Sequence, residues 1–120
     1  MKEFHKHSTT LHELLDKLPS YDKAMEISDI LSVLSDPTRI RILWLLCHTT
    51  ECVTDIAIAI DMSAPAVSHH LKLLKAHSII TSTKIGKEMQ YSLADTRNAH
   101  LIHELLDNML LIECPKKNKN

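Results

Sequence analysis

The sequence predicts a mainly α-helical fold in which five helices precede a β-hairpin and a closing helix follows it. Three observations carry this reading. Val67, Leu71 and Leu74 recur at helical spacing behind Ser63, a cap residue, and Pro65, which suits a first helical turn. Over residues 79–93 the apolar positions switch to strand spacing on either side of Gly86-Lys87, which holds the only glycine of the 120 residues. Before and after that stretch the apolar residues return to a helical period.

Taken in order, Ser8-Thr-Thr-Leu-His-Glu-Leu-Leu15 opens with a cap signal and places Leu11, Leu14 and Leu15 on one side, predicting a short helix that ends at Pro19. Over residues 21–35, Ala24, Met25, Ile27, Ile30, Leu31, Val33 and Leu34 cover more than one stripe, predicting a helix with two neighbours. Asp36-Pro37 stops and restarts the chain: Asp caps, Pro takes the first helical position, and residues 38–47 continue as a buried helix that 48–51 break. Residues 54–60 form a short helix, and Asp61-Met-Ser63 joins it to the Ser63-capped one. Two short helices on so brief a turn make a helix-turn-helix, and the hairpin after them a wing, giving a winged helix-turn-helix in the order α-α-α-α-α-β-β-α. Asp95 offers a cap for a last helix over about 96–111. There Leu101, Ile102, Leu105, Leu106, Met109, Leu110 and Leu111 exceed what one side of a surface helix needs. A second copy of that helix covers the excess, so a homodimer through the N-terminal and C-terminal helices is expected. The domain organisation that follows is an arm and short helix over 1–20, a winged DNA-binding and dimerisation domain over 21–114, and a flexible tail over 115–120.

Composition narrows the function. Aromatic residues are only 3% of the chain, which argues against base stacking, and a single glycine leaves no glycine-rich phosphate loop. No apolar run approaches the roughly 20 residues of a membrane helix, and Met1-Lys-Glu-Phe-His-Lys-His7 is too charged for a signal peptide. Three cysteines cannot all pair internally, which fits a reducing, cytoplasmic setting. Nothing resembles a nucleophile with its base and orienting group, so no enzyme is expected. The net charge of −1 is unevenly spread: residues 62–93 carry +3 and the remainder −4. A local basic surplus is the footprint of a small face for double-stranded DNA. Ser63, Ala64, Pro65, Ser68, His69 and Lys72 form the small, polar face of the recognition helix, and Lys84 and Lys87 place charge on the wing.

Borderline divalent metals take imidazole, thiolate and carboxylate ligands, usually four in a tetrahedron, and no single segment supplies four. Cys52 and Asp55 lie three residues apart at the start of a short helix and can face one point, while His5 and His7 on the arm can close onto it from either protomer, with His12 in reserve. His100, His103 and Asp107 share one stripe of the last helix and offer an alternative, interfacial set. The same residues have plain structural uses: a buried thiol, a carboxylate in a helix's first turn, a solvated tail, the polar edge of a dimer helix.

Ser35-Asp-Pro-Thr-Arg-Ile-Arg-Ile-Leu43, Val53-Thr-Asp-Ile-Ala57, Ser68-His-His-Leu71 and the Gly86-Lys87 wing ending in Tyr91-Ser-Leu93 resemble, in order and spacing, the ArsR/SmtB family of metal-sensing transcriptional repressors. The resemblance spans about residues 25–111. It implies a homodimer that occupies its operator when metal-free and lets go when metal binds. It also implies a site combining an N-terminal arm with Cys52 and Asp55. Thr54 stands where some relatives have a second cysteine, which favours zinc or cobalt over cadmium as the ion. Ala64-Pro65 replace a polar pair that relatives use toward DNA. A second family site across the paired closing helices is broken here, because only Asp95 is present while Arg97, Asn108 and Leu111 occupy the other positions. Two further readings stay open: a repressor switched by thiol oxidation at Cys47, Cys52 or Cys114, and a winged helix that binds protein.

Overall fold

The computed structural model describes residues 9–111. The chain divides into two compact units between Leu31 and Ser32. Up to that boundary lie α1 (Thr9–Leu14), one 3-10 turn (Leu15–Lys17) that ends before Pro19, and most of α2 (Tyr21–Leu34). The expected Ser8 cap lies outside the described residues. Leu11, Leu14, Leu15, Leu18, Met25, Ile27 and Leu31 are exposed, and along α2 only Val33 and Leu34 are buried. The excess of apolar positions read from the sequence is thus an open face in the single chain.

From Ser32 onward the order is α3 (Pro37–His48), β1 (Glu51–Cys52), α4 (Val53–Ile60), α5 (Ala64–Ala76), β2 (Ile80–Ile85), β3 (Glu88–Leu93) and α6 (Arg97–Leu110). Asp36 caps α3 as expected, its carboxylate accepting from the Arg39 N–H at 2.9 Å, with Pro37 in the first turn. Ser63 caps α5 by accepting from the Ala66 N–H at 3.2 Å. The turn between α4 and α5 is closed by Asp61 in the left-handed region (φ 58°), whose N–H reaches back to Ala57 and Ile58. Aspartate tolerates that conformation without glycine.

β2 and β3 form the expected hairpin, paired from Ile80↔Leu93 to Ile85↔Glu88. Gly86 opens the turn at φ +65°. A positive φ at the first central position alone is the type II′ pattern, matched to the twist of paired strands. Two features differ from the expectation. Glu51–Cys52 is not merely a break after α3 but a strand that pairs antiparallel with β3, making a three-stranded sheet in the order β1-β3-β2. At two residues it is too short for any periodicity to reveal. The cap of α6 is Thr96, not Asp95: its hydroxyl accepts from the Ala99 N–H at 3.1 Å and donates to the Ser78 carbonyl at 3.2 Å. Only a hydroxyl can do both, tying α6 to the turn before the wing, whereas a carboxylate only accepts.

The core is aliphatic. Ile42, Leu43 and Leu46 of α3, Ile56 of α4, Val67, Leu71 and Leu74 of α5, Ile79 and Ile80 are essentially solvent-free, with Ala99, Ile102 and Leu106 adding the inner side of α6. Leu71 is 1% exposed, so Leu71→Ala removes buried methyls from a packed layer. We expect it to cost about 2–5 kcal/mol, read as a lower urea midpoint at unchanged slope.

Candidate functional site

One face of α5 is sealed and the other open. Val67, Leu71 and Leu74 are buried, while Ser63, Ala64, Pro65, Ser68, His69 and Lys72 are all exposed. Lys84, at the end of β2, and Lys87, in the Gly86 turn, are exposed at the tip of the wing. Helix and wing are tied together, because Lys75 Nζ donates to Ser82 Oγ at 2.6 Å. Every residue predicted for the nucleic-acid face is therefore on the surface of α5 or the wing.

The middle of α5 is also held from behind. Arg39 in the first turn of α3 donates through Nε to the Val33 carbonyl and through Nη1 to His70 Nδ1 at 3.3 Å, with Asp36 Oδ2 4.0 Å from the same imidazole nitrogen. Arginine has no lone pair to offer, so in the neutral ring His70 Nδ1 is the acceptor. The sequence reading gave His70 no such role; only the fold brings residues 39 and 70 together.

Cys52 is buried at 7% exposure and stands at the N-cap of α4 without a side-chain cap bond, beside Gln90 in the sheet register. Asp55 is exposed in the first turn of α4, where a carboxylate also suits the helix dipole. His5 and His7 lie outside the described residues, as does Cys114. His12 is exposed on α1. Cys47 and Cys52 are both buried.

The alternative set on α6 is regrouped. His100 Nε2 bonds Asp95 Oδ1 at 2.8 Å, whereas His103 and Asp107 are joined by His48, the last residue of α3. Among the described residues, His48, His103 and Asp107 are the group whose ligand atoms converge, all within 4.8 Å of one another. In the sequence His48 has only a place in the break after residue 47, because its partners lie more than fifty residues away.

A model of bacterial regulatory proteins of the arsR family matches residues 36–82, from the Asp36 cap into the wing. A transcriptional repressor SmtB homolog of Synechocystis is 31% identical over 103 residues, 86% of this chain and 78% of that protein. The chain belongs to the ArsR/SmtB family. It is accordingly a DNA-binding transcriptional regulator and not an enzyme. The cadmium resistance transcriptional regulatory protein CadC of Listeria innocua is 34% identical over 97 residues, 80% of this chain and 81% of its own length. In fold, HlyU from Vibrio cholerae superposes with a TM-score of 0.70 at 20% identity, over 77% of this chain and 99% of that one. No helix among the described residues is long and apolar enough to cross a membrane.

The Asp36 junction is testable by pH. The Arg39 N–H first, then the Arg39 and His70 charges, hold its carboxyl below the ordinary 3.8. A carboxylate whose folded pKa is depressed contributes stability that is complete above the unfolded value and lost as pH falls through the folded one. Asp36→Asn keeps a cap acceptor but no charge. Thermal midpoints should show wild type ahead at neutral pH and the gap closing below about pH 4. A gap constant across that range contradicts the assignment.

Proposed function

We propose that the protein is a homodimeric repressor that holds double-stranded operator DNA when metal-free and releases it on binding a divalent metal, zinc before cobalt or cadmium, in the cytoplasm. The observation that carries the DNA half is the exposed line from Ser63 to Lys72 on a helix whose opposite stripe is buried. Small side chains let α5 enter a major groove, where Ser68 and His69 reach base edges and Lys72 meets the backbone. Lys84 and Lys87 contact phosphates and so position the dimer without reading sequence. The dimer is supported by α6, whose Leu101, Leu105, Met109 and Leu110 are 44–72% exposed, too large an apolar face for a lone helix. Its two-fold axis predicts an imperfect inverted repeat with half-site centres about one DNA turn apart. Lys87→Ala should flatten the dependence of log affinity on log salt by about 1 per wing, about 2 per dimer, while leaving operator preference intact. An unchanged slope removes the wing from the interface.

For the metal, a thiolate and a carboxylate at Cys52 and Asp55 supply half of a tetrahedral set. The arm histidines His5 and His7, from either protomer, supply the rest. Cadmium resistance in the name of the related CadC protein supports a divalent ion as the signal. Only a difference in metal affinity between DNA-competent and DNA-incompetent dimers can drive release. Zinc should weaken operator binding by about 5–150-fold, and Cys52→Ser should abolish that effect together with one bound zinc per protomer, read by metal analysis and anisotropy titration. If zinc leaves wild-type operator affinity unchanged, the metal half of this reading is lost.

A further inference from the structure

Asp107 on α6 is bracketed by two imidazoles from different elements. His103 Nε2, one turn earlier on the same helix, lies 3.1 Å from Asp107 Oδ2, and His48 Nε2, at the end of α3, lies 3.9 Å from Oδ1. The three side chains are only 15–22% exposed, and Asp107 Oδ1 is shielded from solvent without a hydrogen bond. The rings of His48 and His103 meet edge-on at 5.0 Å, and Trp44 covers His48 at 4.5 Å. A cleft of about 330 Å³, lined by His48, Thr49, Asp95, His100 and His103, opens beside them.

We propose that His48, His103 and Asp107 form a divalent-metal site within one protomer, separate from the Cys52 and Asp55 set. Two neutral imidazoles and a carboxylate suit zinc, cobalt or nickel; they are too nitrogen-rich for magnesium or calcium and too hard for thiophilic ions. Tetrahedral bonds of 2.0–2.2 Å place ligand atoms about 3.3 Å apart, so side-chain rotations closing the present spread below 4.8 Å suffice. A fourth position remains for water from the cleft. The ion would sit at the C-terminal end of α3, where the helix dipole favours positive charge. Uptake displaces any proton the histidines carry, since only the neutral ring ligates. An ordinary histidine-carboxylate ion pair has the same apo geometry but no affinity for metal, and that is the distinction to test. The proposal concerns binding and does not rest on operator release.

Trp44 is the only tryptophan, and its contact with His48 makes it a reporter. The full chain carrying Cys52→Ser is titrated with Co(II) alone, following Trp44 fluorescence and cobalt absorption. We expect saturable quenching at one ion per protomer and visible bands without sulfur charge transfer. His103→Gln and Asp107→Asn, each added to that background, leave the Trp44–His48 pair in place and should weaken Co(II) at least tenfold, with far-UV dichroism confirming the fold. In the Cys52→Ser chain itself, Co(II) should broaden the His48 and His103 ring proton resonances, which needs no further substitution. The proposal is overturned if that chain shows no saturable quenching, if neither added substitution weakens it, or if those ring protons stay sharp. Failure of the Cys52 reading looks different: the wild-type chain then lacks a sulfur charge-transfer band while the quenching persists.

Discussion

What α5 can present depends on what it buries. Val67, Leu71 and Leu74 lie on one stripe and are solvent-free, so the rotation of the helix about its own axis is fixed. A turn of one residue, about 100°, would bring Val67 into water and push Ser68 into the aliphatic layer. Each fully buried side chain of this kind is worth about 1.5–3 kcal/mol, so three of them hold the register against any preference of the polar face. Arg39 adds direction: by reaching both the Val33 carbonyl at the end of α2 and His70 it ties the middle of α5 to the start of α3. The exposure of Ser68, His69 and Lys72 is thus a consequence of packing on the other side.

A chain with one glycine makes its other left-handed turns from different residues. Asp61 and Ser78 adopt φ 58° and 57°, one after α4 and one after α5. Non-glycine residues pay roughly 1–2 kcal/mol for this conformation, least when a short polar side chain is present. At Gly86 the surroundings are open, with nothing within 4 Å of where a Cβ would stand, so glycine is there for its φ and not for space. That distinction places the conformational demand at the wing tip, between Lys84 and Lys87, where the strands have to reverse tightly for both lysines to sit at one end.

Most of the fold was legible because its signals are local. The Asp36-Pro37 restart, the Ser63 cap and the Gly86 turn each act within a few residues, and the buried positions of α5 follow from spacing alone. The exposed positions of the DNA face follow from the same spacing read on the opposite side. What escaped is non-local or too short to have a period. β1 exists only because Glu51 and Cys52 find Tyr91 and Gln90 across the sheet. Thr96 displaces Asp95 as a cap because the Ser78 carbonyl happens to be within reach of its hydroxyl. His48 reads as the frayed end of a helix until α6 is laid against α3, and His70 as a surface residue until Arg39 meets it.

α3 connects two of these non-local features. Its first turn holds α5 through Arg39 and His70, and its last residue, His48, meets α6 at Asp107. Between the two ends, Ile42, Leu43 and Leu46 are buried, and close-packed side chains transmit strain. A force applied at His48 is therefore expressed as displacement of the helix as a body, since a packed helix shifts more readily than it bends. Its other end would then carry the change to His70, adjacent to His69 and two residues from Ser68. Whether drawn by an ion or by a protonated imidazole, closure around Asp107 acts on DNA binding only so far as the DNA-competent and DNA-incompetent forms differ in the seating of α3 on α5. That seating is where a ligand at the far end of α3 and a groove at the open face of α5 have a physical variable in common.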